Sequence, residues 1–230
     1  MVETSAKNPL FPIFVKLHNL NLLLVGGGYV ALEKLGTLLV NSPEAKIKLV
    51  AGSISNDVHA ILQANNIPFE ERDFEVRDLE GVDLAIVAIN DGQISSKIAA
   101  ACKERKVLTN VADQPALCDF YLGSVVQKGN LKIAISTNGK SPTIAKRMKE
   151  MLNEALPDEV DDLLNNMQRI RNGLKGDFTD KVKQLDAITS VLTVKKNKKS
   201  LFRTSLYVLS YIIAILFLMI AGYYIFSAFL

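Results

Sequence analysis

The chain has 230 residues, 49% of them hydrophobic and 22% charged, enough for a sizeable core in one or two domains. Its formal charge of +3 is unevenly spread: the first 194 residues hold 22 basic and 24 acidic side chains, a net −2, and Lys195, Lys196, Lys198, Lys199 and Arg203 carry the remainder. No broad basic face is left for nucleic acid, and Cys102 and Cys118 are too few for a disulfide framework or a cysteine metal knuckle.

Residues 10–14 read as an extended lead-in, with a turn at His18 and Asn19 and a first strand over 20–25. The apolar run Leu22, Leu23, Leu24 and Val25 meets Gly26, Gly27 and Gly28, and a helical periodicity begins at once with Val30, Ala31, Leu35, Leu38 and Leu39. The helix stops near Val40, before Asn41, Ser42 and Pro43. Gly26, Gly28 and Ala31 fill the G-x-G-x-x-G/A pattern: one glycine for the turn, one to let the backbone approach a pyrophosphate, and a small residue for helix-on-strand packing. The free N–H groups of the helix start then face the phosphates. Taken alone, the pattern also fits a glycine-rich turn that binds nothing.

A second strand over 47–51 ends in Ala51, Gly52 and Ser53, where a nucleotide fold usually carries an acid for the ribose. That acid is missing. The ribose contact falls to Ser53 or to backbone, and the position does not separate NAD from NADP.

A helix over 58–65, a short strand over 69–73, a buried strand over 84–89, a helix over 94–105 and a strand over 107–112 complete the alternation. Alternating strands and helices imply a parallel, Rossmann-like α/β sheet with a crevice at the carboxyl ends of its strands. The expected cofactor contacts are Gly26, Gly27, Gly28, Tyr29 and Val30 of the first turn, Ala51 and Ser53 after the second strand, and Asn90 and Asp91 after the fourth. Cys102 reads as core, and His18 and His59, which have no second ligand at a metal-binding spacing, as structural or surface residues. No metal site is predicted.

From Asp113 the texture changes. Residues 120–127 and 131–136 flank Lys128, Gly129 and Asn130 as a hairpin. Thr137, Asn138, Gly139, Lys140 and Ser141 lead into a helix over 142–156, with Ser141 as N-cap, Pro142 at its first position, and Ile144, Met148, Met151, Leu152 and Ala155 on one face. Residues 159–174 and 178–192 read as two amphipathic helices.

After Arg203 no charged residue follows, and the 24 residues 206–229 are nearly all apolar. At about 1.5 Å per residue they cover roughly 36 Å, enough for a bilayer core of about 30 Å. The basic run before them favours retention of the globular part on the cytoplasmic side of a single-pass membrane protein. The expected organisation is therefore a nucleotide-binding domain over 1–113, a β-containing dimerisation and substrate segment over 114–150, a helical module over 151–194, a basic linker over 195–204 and a transmembrane helix over 205–230.

The opening Leu10-Phe11-Pro12-Ile13-Phe14, the turn GGGYVALEK, the stretch NVADQPALCDF at 110–120 and AISTNGKSPTIAK at 134–146 together resemble the precorrin-2 dehydrogenase family, the N-terminal part of siroheme synthases. The resemblance covers about residues 10–156 closely and 157–193 loosely, and not the tail. It implies NAD-dependent oxidation of precorrin-2 to sirohydrochlorin, in some members also Fe²⁺ insertion to give siroheme, and a homodimer joined through about 117–136. It also implies that the aspartate of NVAD, here Asp113, is the acid–base residue.

Oxidising a reduced macrocycle requires a hydride acceptor and a base for the accompanying proton, and a carboxylate at a strand end beside the cofactor supplies the second. Asp113 has that place, though an aspartate before Pro115 equally caps a turn. Precorrin-2 carries many carboxylates, so Thr137, Asn138, Gly139, Lys140 and Ser141 at a helix start form the expected substrate site. Two rival readings are a membrane-tethered NAD-binding sensor without chemistry and an NADP reductase for a small substrate.

Overall fold

The computed structural model describes residues 8–189, and the basic linker and apolar span expected over 195–230 lie outside them. Among the described residues no helix is long and apolar enough to cross a membrane. One compact unit runs to Leu164, and a second begins at Asn165.

The first unit is built on five parallel strands: β1 (Asn21–Val25), β2 (Lys46–Ala51), β3 (Phe69–Glu71), β4 (Leu84–Val87) and β5 (Leu108–Val111). Their order is β3-β2-β1-β4-β5. The order reverses between β1 and β4, so the loops after these two strands diverge and leave a crevice, the usual ligand position in an open α/β sheet. Helices α1 (Tyr29–Asn41), α2 (Asn56–Ala64) and α3 (Gly92–Glu104) make the connections.

Alternation along β1 explains why both faces are covered. Leu22 and Leu24 pack with Ala31, Leu35 and Leu38 of α1 and Val58 and Leu62 of α2, while Leu23 and Val25 pack with Ile98, Ala99 and Cys102 of α3. Each fully buried leucine here stabilises by about 2 kcal/mol relative to exposure. Cys102 is core, as its alanine-rich surroundings suggest. His59 meets the Phe69 ring edge-on at 5.0 Å.

The first two strands end where the sequence predicts, at Val25 and Ala51, whereas β3 and β4 end two residues earlier, at Glu71 and Val87, because the backbone leaves the ladder there to line the crevice. Beyond β5, β6 (Ser124–Lys128) and β7 (Leu131–Ile135) form the expected antiparallel hairpin, and α4 (Pro142–Ala155) follows. Ala145 is the buried residue of α4, whereas Ile144, Met148 and Met151 are exposed. These three residues of the periodic apolar face are thus left exposed among the described residues. Helices α5 (Val160–Gly173) and α6 (Phe178–Thr189) come next.

Candidate active site

Three glycines shape the crevice, each differently. Gly26 has φ +125°, and a Cβ there would lie 2.3 Å from the carbonyl oxygen of Ala88 after β4. Its N–H donates to Val50 at 2.9 Å, so the turn is held to both neighbours of β1. Gly27 lies under the loop after β2, where a Cβ would meet the Ser53 carbonyl oxygen at 2.3 Å, and its own carbonyl accepts from Ser55 at 2.9 Å. Gly28 is the N-cap of α1, and a Cβ there would meet nothing within 4 Å. Ala31, fully buried one turn later, lets α1 lie close on the sheet. A glycine loop with open space before the free N–H groups of a 13-residue helix fits a dinucleotide pyrophosphate.

The crevice has a volume of about 700 Å³. Gly26, Gly27, Gly28, Tyr29, Val30, Ala51, Ser53 and Asn90 line it. Asp91 does not line it: its Oδ1 accepts from the N–H groups of Gln93 at 2.8 Å and Ile94 at 2.9 Å, which turns the carboxylate onto the start of α3. Asp73, Phe74, Ile94 and Lys97 also line the crevice, and sequence reasoning missed them.

A second cavity has a volume of about 680 Å³. Its wall includes Val30, Glu33, Lys34 and Thr37 of α1, Asn110 to Gln114 at the end of β5, Thr137, Gly139, and Ala145 and Lys149 of α4. Val30 lines both cavities. Asp113 stands in the second with φ +59°, a left-handed conformation that aspartate tolerates better than most residues. The loop that carries it is pinned back on β5. The Cys118 thiol donates to the Val111 carbonyl at 3.2 Å and accepts from the Val111 N–H at 3.2 Å, and Asn110 Nδ2 donates to the Phe120 carbonyl at 2.8 Å. Burial pushes the Cys118 thiol above its ordinary pKa, so it stays protonated in this role.

Asp119, the other carboxylate of this loop, has a backbone partner. Its Oδ2 accepts from the Thr109 N–H at 2.9 Å, while its own N–H donates to the Thr109 carbonyl at 2.7 Å.

The expected substrate loop is brought only partly to the cavity. Thr137 and Gly139 line it, but Asn138, Lys140 and Ser141 do not. Ser141 Oγ accepts from the Ile144 N–H at 3.2 Å as the helix cap, and Thr137 Oγ1 bonds the Ser141 backbone at 3.1 and 3.2 Å. Their hydroxyls stabilise the turn, so the cations of the wall are Lys34 and Lys149 rather than Lys140. Lys149 falls four residues after Ala145, on the inner face of α4, a placement that needed the packing of the helix to be known. Among the described residues no three His, Cys, Asp or Glu side chains converge as a metal site.

The fold and the glycine crevice define a nucleotide-binding α/β domain with an adjoining acidic and cationic cavity. Residues 13–124 match the family model described as putative NAD(P)-binding, and residues 128–155 match that of the sirohaem biosynthesis protein central region. Over residues 13–155 the chain is thus similar to sirohaem biosynthesis proteins. It is 31% identical over 173 residues to the siroheme synthase of Methylococcus capsulatus, covering 75% of this chain and 34% of that one. With siroheme synthase 2 of Yersinia pestis it shares 33% over 164 residues, 71% of this chain and 34% of that protein. The chain thus spans about a third of the length of the curated relatives it matches. The solved structure of SirC, a precorrin-2 dehydrogenase, superposes with a TM-score of 0.63 at 22% identity, over 84% of this chain and 98% of that one, and shares the fold.

Proposed function

We propose that the chain oxidises precorrin-2 to sirohydrochlorin with NAD⁺ as the hydride acceptor. The observation that carries this reading is the shared wall at Val30: this residue lines both the glycine crevice and the Asp113 cavity, which suits a dinucleotide in the first with its reactive end toward the second. NAD⁺, when bound, takes the hydride from a C–H of the reduced macrocycle. The chain's own groups do the rest. Gly28 and the start of α1 receive the pyrophosphate, Lys34 and Lys149 hold substrate carboxylates, and the Asp113 carboxylate accepts the proton released as the new double bond forms.

The test is incubation of the purified chain with enzymatically made precorrin-2 and NAD⁺. The reading requires NADH and sirohydrochlorin to appear in equal amounts; tight NAD⁺ binding without turnover is the outcome that would favour a sensor. Iron insertion is a separate step, in which Fe²⁺ is a substrate and a base takes two pyrrole protons. Adding Fe²⁺ to the same mixture distinguishes it by the appearance of siroheme.

Two further parts of the reading rest on narrower support. The exposed Ile144, Met148 and Met151 on α4, at helical spacing, suit the face of a homodimer formed with the hairpin segment over 117–136. The uncharged residues 206–229 after a basic run suit a membrane anchor that keeps the catalytic part in the cytoplasm.

A further inference from the structure

The acid absent from the end of β2 has a counterpart one strand away. Because β3 pairs in parallel with β2 and Ala51 is opposite Glu71, the residues that follow the two strands run side by side. A Cβ on Gly52 would lie only 2.6 Å from Asp73 Oδ1, so the Asp73 carboxylate overhangs Gly52, and both residues line the crevice that holds the glycine turn.

The neighbouring acids all have partners. Glu70 and Asp78 take the Arg72 guanidinium at 2.7 and 2.5 Å, and Glu71 accepts from the Ile54 N–H at 3.0 Å. The Asp73 carboxylate makes no hydrogen bond or ion pair with the described residues, while Arg72 Nη1 donates to its backbone carbonyl at 2.9 Å and fixes the loop. Arg72 therefore holds Asp73 in place while its charge is directed to Glu70 and Asp78.

We infer that Asp73 receives the ribose hydroxyls of the dinucleotide and so selects NAD⁺ over its 2′-phosphorylated form. This rests on the dinucleotide reading of the crevice. An ionised carboxylate is acceptor-only and takes two hydroxyl donors from a diol, whereas a 2′-phosphate brings about −1.5 to −2 charges against it. Gly52 is required by the same arrangement, since any side chain there displaces the carboxylate. Lys97, on the α3 wall, is the cation of the crevice lining and the group an NADP-selective site would use instead.

The experiment is calorimetric titration of the full chain with NAD⁺ and with NADP⁺, for the parent and for Asp73→Asn and Asp73→Ser, with thermal unfolding of each to establish that it is folded. The parent should bind NAD⁺ at least tenfold more tightly than NADP⁺, and both variants should reduce that ratio at least tenfold, Asp73→Ser partly by gaining NADP⁺ affinity. A parent that prefers NADP⁺, or variants that keep the parent's ratio, would overturn the inference and leave the dinucleotide site standing. A folded parent that binds neither nucleotide would overturn the dinucleotide reading itself.

Discussion

A Cβ on Gly27 would lie 2.3 Å from the carbonyl oxygen of Ser53, whereas one on Gly28 would meet no protein atom within 4 Å. The two adjacent glycines therefore have separable roles, one in packing the turn under the β2 loop and one in leaving room for a ligand. Gly27→Ala should destabilise the protein by about 2 kcal/mol or more, since the obstacle is backbone and not a flexible side chain. Gly28→Val should unfold at the parent's temperature yet weaken NAD⁺ binding by about tenfold or more, because its side chain stands where the pyrophosphate approaches. Thermal unfolding and calorimetry on the two variants read these outcomes, and a Gly28→Val protein with parental affinity would place the dinucleotide elsewhere.

Asp78 is 7% exposed, and Arg72 holds its two oxygens at 2.8 and 2.5 Å while the Glu75 N–H adds a bond at 2.9 Å. The Arg72 hydrogen bonds, outweighing burial, hold the Asp78 carboxyl below the ordinary aspartate range, and Asp78 in turn raises the Arg72 pKa. A pKa depressed by folding gives stability that is full above the unfolded-state value and is lost as pH falls through the folded-state one. Denaturant midpoints should therefore be level from neutrality to about pH 5 and decline below about pH 4. Arg72→Met should lower the denaturant midpoint at neutral pH, because it leaves the Asp78 carboxylate with only Lys48, 3.9 Å away, as a cationic partner. The same variant should lose less on acidification than the parent, because protonation relieves a lone buried carboxylate; an acid limb as steep as the parent's would contradict the assignment.

Asp119→Ala removes the acceptor for the buried Thr109 N–H and should destabilise by about 1–2 kcal/mol. Once folded, the variant should keep its turnover, since Asp119 lines neither cavity. A folded Asp119→Ala protein that binds NAD⁺ but does not turn over would move the base from Asp113 to Asp119.

The tail is tested by extraction. Alkaline carbonate should leave the full chain in the membrane pellet, while a chain truncated after Val194 should appear in the supernatant and remain active. Full-length protein released by alkali would remove the anchor from the account.

The glycine turn was legible because two signals coincide: the hydrophobic period changes from strand to helix at Gly26, and the small residues fall at the spacings a nucleotide imposes. Asp113 was legible as a residue at a strand end, but its left-handed backbone was not, since aspartate adopts several turn conformations. The capping role of Asp91 was not legible because an aspartate before a helix looks the same in sequence whether it faces a ligand or caps the helix. Asp73 was missed because the ribose acid was sought on β2, and the lateral proximity of β2 and β3 ends is a property of the sheet. Likewise the α4 pattern marked an apolar stripe, while the fold leaves Ile144, Met148 and Met151 exposed and turns Ala145 and Lys149 inward.

The most direct measurement is the rate of NADH formation from precorrin-2 by the parent and by Asp113→Asn. Asparagine tolerates the φ of +59° at this position and keeps the shape of the side chain, so the variant should fold and bind NAD⁺ as the parent does, whereas Asp113→Ala should lose about 1 kcal/mol of stability in the left-handed conformation. With the base removed, Asp113→Asn should turn over slower by a factor on the order of 100 or more. An Asp113→Asn protein that forms NADH at the parental rate would contradict proton transfer at Asp113 and reduce the residue to a turn-former.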